Sequence, residues 1–247
     1  MEKDPKSHLV ADHNHSSLAV FRWDNPDVRS TVRIVDSEDV LGEGYEGLVK
    51  RVTVYSQRAP ERGVIFASKL YKRRSFASNK ENFDRYMLLK KSKLPTPRTF
   101  RSREDGKGAL MTDLTNGGKN VVISSQDITA EEIARLYEQK PELMEQLSQG
   151  EDIFSVRQNK VTQNYRRKAT RANIRLGRDT WFAIIKPDGA VEYITCDFSS
   201  VVKSNDKKLV SKFNKNSIEG LRQRLQAVQM YGEQPDLAID MLQKLNK

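Results

Sequence analysis

The string GEGYEGLV, residues 42–49, constrains the fold of this chain more than any other stretch. It lies between two runs of β character: residues 32–35 (VRIV) alternate β-branched side chains, and residues 47–55 (GLVKRVTVY) continue that pattern for longer. Glycine has no Cβ and reaches backbone angles closed to other residues, so Gly42, Gly44 and Gly47 permit a tight reversal between the two runs. A polar turn is expected at 56–63 (SQRAPERG), and residues 64–71 (VIFASKLY) read as a third strand. Three consecutive strands with short connections predict an antiparallel sheet.

Beyond it the periodicity changes. Phe83, Tyr86, Met87 and Leu88 fall at helical spacing in a segment that Ser78 or Asn79 can cap and that runs through Lys91. The prolines of LPTP, residues 94–97, stop it. Residues 109–114 (ALMTDL) predict a short strand, and TNGGK, residues 115–119, a linker between two regions. The second region reads as mostly helical. Thr129 and Glu132 have the spacing of a capping box for a helix to about Gln139. A second helix is expected from Glu142 to about Ser148, and a third from Ile153 to Leu176, with Gly177 as its C-terminal cap. Strands at 180–185 and 191–195 flank a KPDG turn, and helices over Ser217–Met230 and Pro235–Leu245 close the chain. The organisation is therefore a polar N-terminal extension (1–28), a strand-rich region with one helix (29–115) and a helical region carrying one hairpin (116–247), an α+β chain.

Composition narrows the classes of partner. The 247 residues carry a formal charge of +10, which favours anionic ligands such as nucleotides, acidic protein surfaces or nucleic acid. A single cysteine, Cys196, excludes an internal disulfide framework and a multi-cysteine zinc site. No apolar run approaches the ~18 residues of a membrane span, and the first residues are too polar for a secretory signal, so a reducing, cytoplasmic setting is expected. All three histidines (His8, His13 and His15) fall in the polar leader.

Four motifs, taken together, resemble the protein-kinase-like superfamily. GEGYEGLV satisfies the glycine pattern G-x-G-x-x-G-x-V; FASK, residues 66–69, stands in the place of V-A-I-K; LPTPR, residues 94–98, is similar to a turn of aminoglycoside-phosphotransferase-like kinases; and ITCDFS, residues 194–199, stands where the family has I-x-D-F-G. The resemblance spans residues 33–202 and implies a bilobal fold, with a small antiparallel β-sheet lobe plus one helix and a reduced, mainly helical second lobe. It implies that Gly42, Gly44, Tyr45, Gly47 and Val49 cover the phosphates of ATP, that Lys69 holds them, and that Asp197 binds Mg²⁺. The acid partner of Lys69 stays open. Residue type favours Glu81, and the position of LLKK, residues 88–91, favours Asp84. Met111 takes the approximate gatekeeper place beside the adenine site, with plain core filling as its alternative role.

The chain departs from the family at the catalytic loop. Arg178 and Asp179 resemble its R-D pair without the preceding histidine. Ile184 stands where the metal-binding asparagine is expected, and Ser199 replaces the glycine after Asp-Phe. Asp179 is the candidate base. The function that the resemblance implies is ATP- and Mg²⁺-dependent phosphotransfer, with a protein Ser or Thr hydroxyl as acceptor. The alternatives are a nucleotide-binding pseudokinase and an RNA-binding protein. The last rests on a run without acids from Arg157 to Arg178, in which Arg167, Arg171, Arg175 and Arg178 would share one helical face. That stripe suits an acidic protein substrate ahead of nucleic acid.

Overall fold

Strands dominate the first half of the chain, and they close on themselves. A computed structural model describes residues 15–22, 25–43, 47–56, 59–71, 79–102, 109–124 and 128–245. Six antiparallel strands form a closed barrel: β1 (His15–Arg22), β2 (Asn25–Glu43), β3 (Gly47–Ser56), β4 (Ala59–Tyr71), β5 (Thr99–Ser102) and β6 (Ala109–Thr112), in the spatial order 1-2-3-4-6-5. β1 pairs with both β2 and β5 and completes the ring.

The barrel is larger than the three-stranded sheet expected from the sequence. Pairing begins at His15, inside the stretch read as an extension, because β1 finds its second partner only in the distant β5. The expected turn at 56–63 also shrinks. Ser56 pairs with Ala59 and Tyr55 with Gly63, so most of that polar run is strand.

The helix α1 (Asn79–Lys91) follows its periodicity, and its end has a specific geometry. Lys93 adopts φ 55°, its N–H donates to Lys90 O at 2.9 Å, and Leu94 N donates to Leu89 O at 3.1 Å. This is a Schellman closure, and Leu89 and Leu94, the apolar pair that accompanies it, are both buried. Pro95 then prevents further helix.

Helices dominate the second half. α2 (Ala130–Gln139) and α3 (Pro141–Ser148) are followed by α4 (Val156–Arg171), α5 (Lys207–Met230) and α6 (Pro235–Leu245). The capping box of α2 is formed: Glu132 N donates to Thr129 Oγ1 at 3.2 Å and Thr129 N to Glu132 Oε2 at 2.8 Å. Between the helices lie β7 (Val121–Ser124), β8 (Ile174–Leu176), β9 (Trp181–Ile185), β10 (Val191–Thr195) and β11 (Val201–Lys203). The sheets are β10-β9-β7 and β11-β8. The β9–β10 hairpin stands where the sequence places it. The molecule is thus a mixed α+β architecture, strand-rich at its N-terminal side and helix-rich at its C-terminal side.

Two helix boundaries differ from expectation. α4 stops at Arg171 instead of running to Leu176, and Gly177 is not its cap. Ala172 is the C-cap and Asn173 turns left-handed at φ 56°, a conformation asparagine tolerates better than most residues. α5 begins at Lys207 instead of Ser217. Asp206 accepts from Leu209 N at 2.9 Å and caps it. The lysine- and asparagine-rich start of α5 hid this turn because one of its core-facing residues is polar. Buried Asn214 accepts from Leu176 N and donates to Ile174 O, both at 2.8 Å, which satisfies the free edge of β8 as a neighbouring strand would.

One core joins the two halves. Tyr86, Leu89, Leu94 and Met111 from the first half pack in the same cluster as Ile153, Leu176, Trp181, Phe198 and Leu225. Among the described residues, no helix is long and apolar enough to cross a membrane.

Candidate functional site

The barrel register sets three of the sequence-derived residues side by side. Gly42 on β2 pairs with Val49 on β3, and Val49 pairs with Lys69 on β4. At ~4.8 Å between neighbouring strands, Gly42 lies about 10 Å from Lys69. Gly47 begins β3, so the β2–β3 reversal falls between Glu43 and Gly47. Gly44 and Tyr45 lie outside the described residues.

Lys69 reaches from the barrel to the second half of the chain. Its Nζ donates to Asp197 Oδ2 at 3.3 Å, with both side chains largely withdrawn from solvent. The other carboxylate oxygen, Oδ1, accepts from Ser199 N at 3.0 Å and from Ser199 Oγ at 2.7 Å. Ser199 therefore orients the carboxylate. Glu81 and Asp84 are both on the exposed side of α1, while Lys69 is paired with Asp197.

The segment after Asp197 is clamped by α1, in part through Arg85, which carried no sequence signal. Arg85 Nη1 donates to Ser199 O at 2.6 Å. The Tyr86 and Phe198 rings meet edge to face, with centroids 5.4 Å apart. Helical periodicity shows that Tyr86 faces inward, but not that Phe198 is its partner.

Asp179 is brought to the same place. It lies in a 3₁₀ turn, Arg178–Thr180, between β8 and β9, and Ser200 Oγ donates to its Oδ2. Consecutive serines thus hold the two aspartates: Ser199 binds Asp197, and Ser200 binds Asp179. Backbone bonds tie the strands beneath them, Gly177 N to Ser200 O and Cys196 N to Thr180 O, both at 3.0 Å. Gly177 is required by space, since a Cβ there would meet Ser200 Cβ at 2.4 Å and Asp179 Oδ1 at 2.7 Å. Only Thr180 separates Asp179 from β9, and Ile184 is a buried core residue of that strand.

Met111 is buried, and the Cys196 thiol approaches its sulfur at 3.8 Å. It belongs to the common core, and its contact reaches the residue next to Asp197. Desolvation pushes the Cys196 thiol up to about 12; the Asp197 charge adds to the shift and Lys69 opposes it. Arg51 on β3 reaches the start of the connection between the halves. It pairs with Asp113 at 3.6 Å, and Asp113 itself accepts from Thr115 N and Gly117 N, both at 2.9 Å. The TNGGK linker is therefore an ordered turn built on a buried carboxylate, foreshadowed only by Asp-x-Thr-x-Gly spacing.

The arginine stripe is divided by the fold. Arg167 and Arg171 belong to α4, Arg175 to β8 and Arg178 to the 3₁₀ turn, so they do not share a helix face. A cavity of about 390 Å³ lies between α4 and β10, lined by Pro95, Val161, Tyr165, Ile184 and Ile194 among others. Neither Lys69, Asp179 nor Asp197 borders it.

The donor set suits a hard cation in a limited way. Among the described residues, no three His, Cys, Asp or Glu side chains converge as a metal site. Mg²⁺ commonly takes one or two carboxylates and completes its shell with water and substrate phosphates. Asp197, partly exposed, could supply one such carboxylate. No protein-family model matches the chain, and no curated protein matches it in sequence.

Proposed function

We propose that the protein is an ATP-dependent phosphotransferase whose acceptor is a protein Ser or Thr hydroxyl. The observation that carries this reading is the convergence of Lys69, Asp197 and Asp179 from three separate strand ends. The pairing of Gly42 with Val49 and of Val49 with Lys69, which sets these residues in one row across neighbouring strands, supports the reading. Lys69 would hold the nucleotide phosphates, and Gly42 and Gly47 would let backbone approach them. Asp197 would hold Mg²⁺, which, when bound, neutralises charge on the β and γ phosphates.

Asp179 would accept the proton of the acceptor hydroxyl. That oxygen forms a bond to the γ phosphorus as the bond from phosphorus to the β-phosphate oxygen breaks, and ADP leaves with the electron pair. Most of the rate gain in such a transfer comes from positioning and charge stabilisation. Met111 would stand at the approximate edge of an adenine site, and either Glu81 or Asp84 would be the acid partner of Lys69 in the nucleotide-bound state.

A second reading is nucleotide binding with little chemistry. The short link from Asp179 to β9, with Ile184 in the core, favours it, because no side chain there can supply a further metal ligand.

Radiolabelled γ-phosphate transfer from ATP with Mg²⁺ to an acidic protein, alongside binding of a fluorescent nucleotide, tests both. Transfer lost in Asp197→Ala and Asp179→Ala supports the first reading. Nucleotide binding without transfer in the native chain supports the second. Absence of nucleotide binding overturns both.

A further inference from the structure

The two short strands β8 and β11, which lie next to the aspartate-bearing segments, also present an apolar, cationic surface. Arg175 on β8 pairs directly with Val202 on β11, so their side chains stand on one face, while Ile174, Leu176 and Val201 are buried on the opposite one. The Arg175 guanidinium lies over the Phe213 ring of α5, 5.0 Å from its centroid. Leu209 is one turn before Phe213 on the same side of that helix. Val202, Leu209 and Phe213 are exposed at 39%, 37% and 42%. Isolated exposed apolar residues are ordinary, but three gathered around one arginine form a patch.

Its charge is one-sided. Residues 203–216 contain five lysines and a single acid, Asp206, and Asp206 is engaged as the cap of α5. Lys208 and Lys212, both exposed, form the row beside Leu209 and Phe213. Cations bordering an apolar centre are the complement of a segment with the opposite border.

We propose that the β8–β11–α5 face binds an acidic peptide segment of a partner protein, one whose apolar side chains seat on Val202, Leu209 and Phe213 while its carboxylates meet Arg175, Lys208 and Lys212. A nucleic acid is the weaker fit. Phe213 is the one aromatic of the patch and Arg175 covers its ring, which leaves no open base-stacking platform. The aliphatic Val202 and Leu209 offer nothing to a phosphate backbone. Because β8 leads into Asp179 and β11 follows Asp197, a peptide held here would extend toward the site. Its binding needs no phosphotransfer and can be measured without ATP.

The test uses the full chain and three fluorescent probes: a peptide of glutamates interspersed with leucines, the same peptide with every leucine replaced by glycine, and a single-stranded oligonucleotide of equal charge. Anisotropy should show the leucine peptide binding at least tenfold more tightly than either control. Phe213→Ser and the pair Lys208→Glu and Lys212→Glu should each weaken that binding about tenfold. Melting curves matching the native protein would show that these exposed substitutions leave the fold intact. Equal binding of the glycine peptide, tighter binding of the oligonucleotide, or an affinity indifferent to Phe213→Ser would each overturn the proposal. A nucleotide-binding failure with intact peptide binding would leave this surface standing while removing the phosphotransfer reading.

Discussion

Lys69 and Asp197, 128 positions apart in sequence, meet at 3.3 Å across the junction of the barrel and the helical region. Lys69 projects from β4, and Asp197 follows β10 in a segment held by Ser199 and Arg85.

Asp197→Ala is expected to lower phosphotransfer by at least about 10²-fold, the scale for losing a group that stabilises developing charge. A double-mutant cycle with Lys69→Ala should return a coupling on the order of 1 kcal/mol in unfolding free energy. Urea titration of the four proteins measures it, and zero coupling would show that the pair does not form in solution.

Gly177→Ala forces a methyl group into Ser200 and Asp179. Overpacking of this kind costs about 1–3 kcal/mol, and phosphotransfer should fall with it as Asp179 is displaced. Gly220→Ala is the matched control. Its Cβ would meet only Arg224 Nη1, at 3.5 Å, so it should stabilise the interior of α5 by roughly 0.5–1 kcal/mol.

Lys93 pays for a left-handed backbone that glycine adopts freely. Lys93→Gly should raise stability by about 1 kcal/mol, since both Schellman bonds come from backbone groups that the substitution retains. Leu89→Ala, in the buried half of the same motif, should cost about 2–5 kcal/mol. Denaturant midpoints decide between gain and loss.

Alkaline pH should weaken the fold. Burial raises the Cys196 thiol from an ordinary 9.0 to about 12 and the Tyr193 hydroxyl from 10.0 to about 12. Between those values the folded chain holds more protons than the unfolded one, so stability falls as pH rises. The contribution is whole below about pH 9 and is lost progressively toward pH 12. Cys196→Ala and Tyr193→Phe should each flatten the decline in melting temperature, and an unchanged slope would contradict the assignment. The native thiol should also react slowly with thiol reagents at pH 8 compared with the denatured chain.

Local signals located much of this structure. The β run that follows the glycine string, the capping box at Thr129 and the β9–β10 hairpin all depend on residues a few positions apart, and each formed as read. The boundaries that moved depend on distant partners. β1 needs β5; α4 ends where Asn173 reverses the chain to bring β8 against β11; α5 starts early because Asn214 serves β8. Hydrophobic periodicity cannot register an asparagine that replaces a strand, nor an arginine row that the backbone turns apart.

The candidate site divides in the same way. By itself the sequence determined the chemistry on offer, a glycine-bearing hairpin, one strand lysine and two aspartates, because residue type and short spacing set what a side chain can bind. Tertiary structure alone decided their company. It put Lys69 on Asp197, gave Asp179 its serine from the segment after Asp197, moved Arg175 from a helical stripe onto Phe213, and clamped Ser199 and Phe198 with Arg85 and Tyr86. Those contacts join elements far apart in the chain, and their energies come from burial and pairing that exist only after the core has closed.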